Sequence, residues 1–155
     1  MTAPVTLHWQ RLPGAQAPDP LPLPAPATEG AAGLDLRAAV RTSLVLSPGE
    51  RVRVPTGFAL AIPDGYEGQV RVRSGRAWRE GLGMPNAPGT IDADYRGELE
   101  VLLINFGQDP IHIVRGDRIA QLIIAPVVRP HSAEVDALPP STGRGAGGFG
   151  HTGDR

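Results

Sequence analysis

Leu99-Glu-Val-Leu-Leu-Ile-Asn-Phe106, then Ile111-His-Ile-Val114, then Ile119-Ala-Gln-Leu-Ile-Ile-Ala-Pro-Val-Val128 carry the reading of the fold. The first run is the most apolar and reads as a central strand. The second is short, and Arg115-Gly-Asp117 turns the chain into the third, which is long and rich in β-branched residues. Upstream the rhythm repeats. Residues 5–12 read as a first strand and residues 34–38 as another. Residues 44–46 end at the turn signal Ser47-Pro-Gly-Glu50. Arg51-Val-Arg-Val54 alternates and continues past Pro55 into residues 58–62; after Pro63-Asp-Gly65, residues 67–73 alternate with Val70 and Val72 on one face. Strand-like runs recurring between turn residues predict an all-β sandwich or barrel. One weak helix candidate covers residues 75–80 and is ended by Gly81 and Gly83.

Composition points the same way. Twenty glycines and seventeen prolines in 155 residues favour turns and short strands over long helices. Six prolines between positions 13 and 26 predict an extended surface loop that is neither helix nor central strand. Residues 1–138 read as one all-β domain. Residues 139–155 read as a glycine-rich arm, with six glycines between 143 and 153. Such an arm is either featureless or orders over an anion through successive backbone N–H groups. Arg144 and Phe149 tilt that choice toward a ligand.

Fifteen cations, all arginine, against sixteen acids leave a net charge of −1, which argues against a general nucleic-acid binder. No cysteine is present, which removes disulfides, thiolate metal sites and cysteine nucleophiles. The four histidines are scattered, with no i, i+4 pair. No apolar run approaches the ~18 residues of a membrane span, and no signal peptide is evident. A cytoplasmic protein with no membrane partner is expected.

Four features could carry chemistry. Asp35 lies between two leucines of a strand and points away from the core; the bland reading is a solvated acid. Arg73-Ser-Gly75 fits a phosphate clamp or a mere turn. Gly89-Thr-Ile-Asp-Ala-Asp-Tyr-Arg-Gly97 reads as a hairpin with two carboxylates and a ring, or as an ordinary acidic turn. Gln121, in a buried strand, needs a hydrogen-bond partner, either backbone or ligand.

Taken in order, these segments resemble the five motifs of the trimeric dUTP pyrophosphatase (dUTPase) family. They stand as Ala32-Gly-Leu-Asp-Leu-Arg-Ala38, Arg73-Ser-Gly75, Gly89 to Gly97, Arg118-Ile-Ala-Gln-Leu122 and Arg144-Gly-Ala-Gly-Gly-Phe-Gly-His-Thr-Gly153, covering roughly residues 28–153. The resemblance implies a distorted jelly-roll, or β-clip, subunit in a homotrimer with shared active sites. One subunit gives the first, second and fourth motifs, another gives the third, and the fifth arrives on the arm. It implies hydrolysis of dUTP to dUMP and diphosphate, which limits uracil in DNA and supplies dUMP for thymidylate synthesis. By position, Asp92 matches the carboxylate that activates the attacking water. Arg73, Ser74, Gly75 and Gln121 match phosphate contacts. Asn86 and Ile91 belong to the segment that reads uracil, and Tyr95 matches the ring packed on the deoxyribose. Arg144 matches the γ-phosphate contact, Phe149 the ring stacked on uracil, and Gly150 a neighbouring phosphate contact. Asp35 matches the acid that holds Mg²⁺ through a water.

Two departures stand out. Arg76 occupies a position that is usually aliphatic in the family, where it either pairs with an acid at the interface or extends the phosphate field. The proline-rich segment is longer than in many members. Rival readings are a dCTP deaminase of the same fold, a dUTP-binding relative without turnover, and a structural jelly roll.

Overall fold

Turn residues interrupt the apolar runs so often that ten strands and two short helices form among the described residues. A computed structural model describes residues 5–16, 19–139, 143 and 145–148. In chain order the elements are β1 (His8–Arg11), α1 (Pro13–Gln16), β2 (Leu34–Arg37), β3 (Leu44–Leu46), β4 (Arg51–Ala61) and β5 (Tyr66–Val72). They continue with α2 (Ser74–Glu80), β6 (Leu82–Gly83), β7 (Gly89–Ile91), β8 (Glu98–Asn105), β9 (Ile111–Ile113) and β10 (Arg118–Pro126). One antiparallel sheet runs β1-β4-β8-β6, a second runs β2-β10-β5-β7, and β3 pairs with β9.

The alternation read from the sequence sets the core. Leu99, Val101 and Leu103 of β8 are fully buried, as are Leu36 of β2 and Leu122 of β10. With Val54, Val70, Leu46 and Ile113 they fill the space between the sheets. Each such side chain contributes about 1.5–3 kcal/mol on leaving water. β8 is interior to its sheet, as its apolarity implies.

The proline-rich segment departs from its expected form. Residues 13–16 make a single helical turn, because proline's fixed φ suits a first helical position where its missing N–H costs nothing. Ala15 and Leu21 are buried with Phe58 and Ala39 in a second, smaller core on the outer side of β4. Gly57 has φ +76°, and a Cβ there would come within 2.5 Å of the Ala15 backbone nitrogen, so glycine is required for α1 to pack. Arg115 donates to the carbonyls of Gly14 and Asp19, and Arg11 to those of Ala15 and Leu21. Pro26 then bridges to Leu34 and Asp35 N–H donates to Ala25, so the segment closes part of the β2 edge. The first strand is likewise shorter than residues 5–12.

The second correction concerns residues 86–98. β7 pairs with β5 alone, while β8 belongs to the other sheet, so no hairpin forms there. The chain crosses between sheets through a turn in which Tyr95 N–H donates to the Asp92 carbonyl. Gly89 and Leu99 are both buried, each in its own sheet, which forces this crossing.

Candidate active site

Alternation on β2 turns Leu36 inward and Asp35 outward, onto the exposed face of the second sheet. In register across that sheet stand Asp35, Gln121 and Arg71. Asp35 is not a solvated acid: its side chain is only 15% exposed. Arg73 donates to its Oδ1, and Arg118 donates to its Oδ2 at 3.2 Å. A β-bulge explains how Arg118 gets there. Ile119 and Ala120 are consecutive and both fully buried, and the register breaks between Arg118 and Ala120. The extra residue turns Arg118 to the same face as Gln121 and Asp35.

Gln121 makes no side-chain hydrogen bond among the described residues, so of the two partners expected for it the backbone is not one. Its amide lies over Gly33, where a Cβ would collide with it. Gly33 thus keeps room for that amide beside Asp35.

Arg73 ends the run of β5 and caps α2 with its carbonyl, which accepts from Arg76 and Ala77 N–H. That fixes Ser74 and Gly75 in the first turn, with Ser74 exposed. The Arg79 guanidinium covers Gly75. The helix stops at Gly81, whose φ of 73° is the left-handed cap expected there. Arg73, Arg76, Arg79 and Arg118 surround one hollow beside α2 together with Glu80, Asp109 and Asp117, so this end of the molecule is rich in arginine but mixed in charge.

Asp92, Asp94 and Tyr95 stand elsewhere. Ile91 pairs with Gly68, so Asp92 continues toward Glu67, at the far end of β5 from Arg73. At ~3.3 Å per residue, the strand length from Glu67 to Arg73 puts roughly 20 Å between Asp92 and the Arg73–Asp35 pair. Asp92 is exposed and lines a shallow pocket with Tyr66, Glu67, Asp94, Arg96 and Arg129. At its rim Arg129 donates to Asp64 at 2.6 Å and holds that carboxyl below its usual range; the pair is solvated and adds little stability. Tyr95 is 43% exposed, its hydroxyl donates to the Glu98 carbonyl, and its ring lies across Gly97, where a Cβ would clash with it. Asn86 is exposed in the turn before β7, and Ile91 is half-buried.

The structure therefore brings Asp35, Arg73, Ser74, Gly75 and Gln121 to one end of a sheet and places Asn86, Ile91, Asp92 and Tyr95 on or beyond its edge strand β7. Arg144, Phe149 and Gly150 lie outside the described residues. A family model described as dUTPase matches residues 19–153. The chain belongs to the dUTPase family. Similar dUTPase relatives include the deoxyuridine 5'-triphosphate nucleotidohydrolase of Anaeromyxobacter sp. (strain Fw109-5), 61% identical over 97% of this chain and 99% of the relative. That of Methylocella silvestris is 58% identical over 99% and 94% of the two chains. Among solved structures, Staphylococcus bacteriophage 80alpha dUTPase with dUPNHPP superposes with a TM-score of 0.83 at 27% identity, covering 96% of this chain and 98% of that one. A mutant dUTPase from phage phi11 of S. aureus, described with a structural Mg(II) ion, has a TM-score of 0.74 at 26% identity, covering 85% and 97%.

Sequence reasoning did not assign Arg118 to the dUTPase site. Its signal was the break in alternation, Arg118 and Gln121 being three apart yet both polar beside a buried Ile-Ala pair. Among the described residues no group of three acids or histidines could hold a metal, and no helix is long and apolar enough to cross a membrane.

Proposed function

We propose that this chain acts as a dUTP diphosphatase whose active site joins the arginine-rich end of one subunit to Asp92 and Tyr95 of another in a homotrimer. The hydrolysis of dUTP to dUMP and diphosphate rests on membership of the dUTPase family. The division of labour between subunits rests on one observation: within a chain, roughly 20 Å separates Asp92 from the residues that would hold the phosphates. A general base must lie within one hydrogen bond of the water it activates, and that separation supports a site completed by a neighbouring chain.

Arg73, Ser74, Gly75 and Gln121 hold the triphosphate. Arg73 keeps donors to spare after pairing with Asp35, and the Gln121 amide, which has no side-chain hydrogen bond among the described residues, can take a phosphate oxygen. Asp92 takes a proton from water as its oxygen bonds to the α-phosphorus. The bond from that phosphorus to the bridging oxygen breaks, and diphosphate leaves. Residues 86–91, with Asn86 and Ile91, read the uracil edge, and the Tyr95 ring fills the space a 2′-hydroxyl would need. Arg144, Phe149 and Gly150 come with the arm, residues 139–155, closing the site against bulk water.

A lone carboxylate beside two arginines offers no protein cage for a metal, but it fits an ion that arrives on the triphosphate and keeps its waters. Asp35 would hold one such water, and bound Mg²⁺ would offset phosphate charge. The reading places the chain with its nucleotide substrate in the cytoplasm. Diphosphate release from dUTP, UTP, dTTP and dCTP, with and without a chelator, tests it: dUTP alone should turn over efficiently and the chelator should slow it. Equal rates for all four would contradict it.

A further inference from the structure

The Arg76 side chain is only 14% exposed and reaches three elements. Its Nε and Nη2 donate to Glu80 at 3.0 and 2.6 Å within α2. Nη2 also donates to the His112 carbonyl of β9 at 3.0 Å. Nη1 lies 3.6 Å from Asp117 Oδ2, and that carboxylate accepts Val114 N–H while the Asp117 carbonyl accepts Ala38 N–H. Asp117 precedes Arg118, and Arg118 returns to Asp35, which holds Arg73 at the start of α2. The charges close a ring: Arg73, α2, Arg76, Asp117, Arg118, Asp35 and back to Arg73.

We infer that Arg76 is a positioning residue that sets the spacing between Arg73 and Arg118, and so the grip on the outer phosphates of the substrate. Its donors are engaged by Glu80, His112 and Asp117, so it does not itself extend the phosphate field. A planar guanidinium spreads its donors over three nitrogens and so reaches all three partners, whereas an ammonium offers its three donors from a single nitrogen. Arg76 is mostly buried and Asp117 partly so, and a partly buried pair is screened less than an exposed one. The inference rests on the phosphate-binding role proposed for Arg73.

The test compares binding of the imido analogue dUpNHpp and of dUMP to the intact protein. Wild type should hold dUpNHpp far more tightly than dUMP; if it does not, the phosphate-site reading itself fails. Given that control, Arg76→Leu should weaken dUpNHpp by about tenfold, the coupling expected within one ion-pair network, and leave dUMP within about twofold. Arg76→Lys should recover only part of the loss. Asp117→Asn should weaken dUpNHpp in the same direction, and the double variant Arg76→Leu with Asp117→Asn should lose less than the two single losses combined. Unchanged dUpNHpp affinity, or equal losses for both nucleotides, overturns the inference. Should Arg76→Leu fail to fold, Arg76→Lys and Asp117→Asn decide by the same two affinities.

Discussion

In the proposed reaction Asp92 accepts a proton from water, and an amide of the same shape cannot do it. Asp92→Asn should lower diphosphate release by a factor of about 10²–10⁴ while leaving dUpNHpp affinity nearly unchanged; parallel turnover and calorimetric titrations check this. In the same proposal Tyr95 fills the space of a 2′-hydroxyl, and the absence of a Cβ at Gly97 is what lets its ring lie where it does. Gly97→Ala should displace the ring and reduce the preference for dUTP over UTP by about tenfold, measured as the ratio of kcat/KM values. Both positions stand in a motif whose fixed order made family membership legible. The partners of Asp35 were not legible. Alternation says that Asp35 faces outward, but not that a bulge on a strand more than eighty positions away delivers Arg118 to it.

The elements show where local pattern succeeds and where it stops. Apolar and β-branched content marked β8 and β10 nearly to their ends, because strands packed on a core carry such side chains along their length. The segment 13–16 ran against that logic: proline's reluctance inside a helix says nothing about its aptness at a helix start. The expected hairpin over 89–98 failed for a different reason, since a turn between two strands does not reveal that they belong to different sheets. Asn105, at the end of β8, hid within an apolar run. It is fully buried; its amide donates to the Leu46 and Asp109 carbonyls, and its oxygen accepts Gly107 N–H. Asn105→Ala should destabilise the fold by about 2–4 kcal/mol, because it strands three backbone groups. Urea denaturation read by circular dichroism, with an unchanged m-value, checks it.

At the scale of the whole molecule, the two halves of the site stand at opposite ends of one strand, so catalysis and assembly are a single problem. Arg73, Arg118 and Asp35 lie beside one hollow, and Asp92 lies beside a different pocket with Glu67, Asp94, Arg96 and Arg129. In the proposed homotrimer, rotational symmetry would repeat around the ring each contact that brings one chain's Asp92 to a neighbour's Arg73. The measurement that bears on this most directly uses two inactive variants, Asp92→Asn and Arg73→Ala. They are co-expressed with different tags and purified through both, so that every assembly contains both chains. Sites shared between neighbours leave one intact pairing in each mixed trimer, so diphosphate release should return to about a third of the wild-type rate. A mixed assembly as inactive as its parents would mean that Asp92 and Arg73 must come from the same chain, and the account would be wrong.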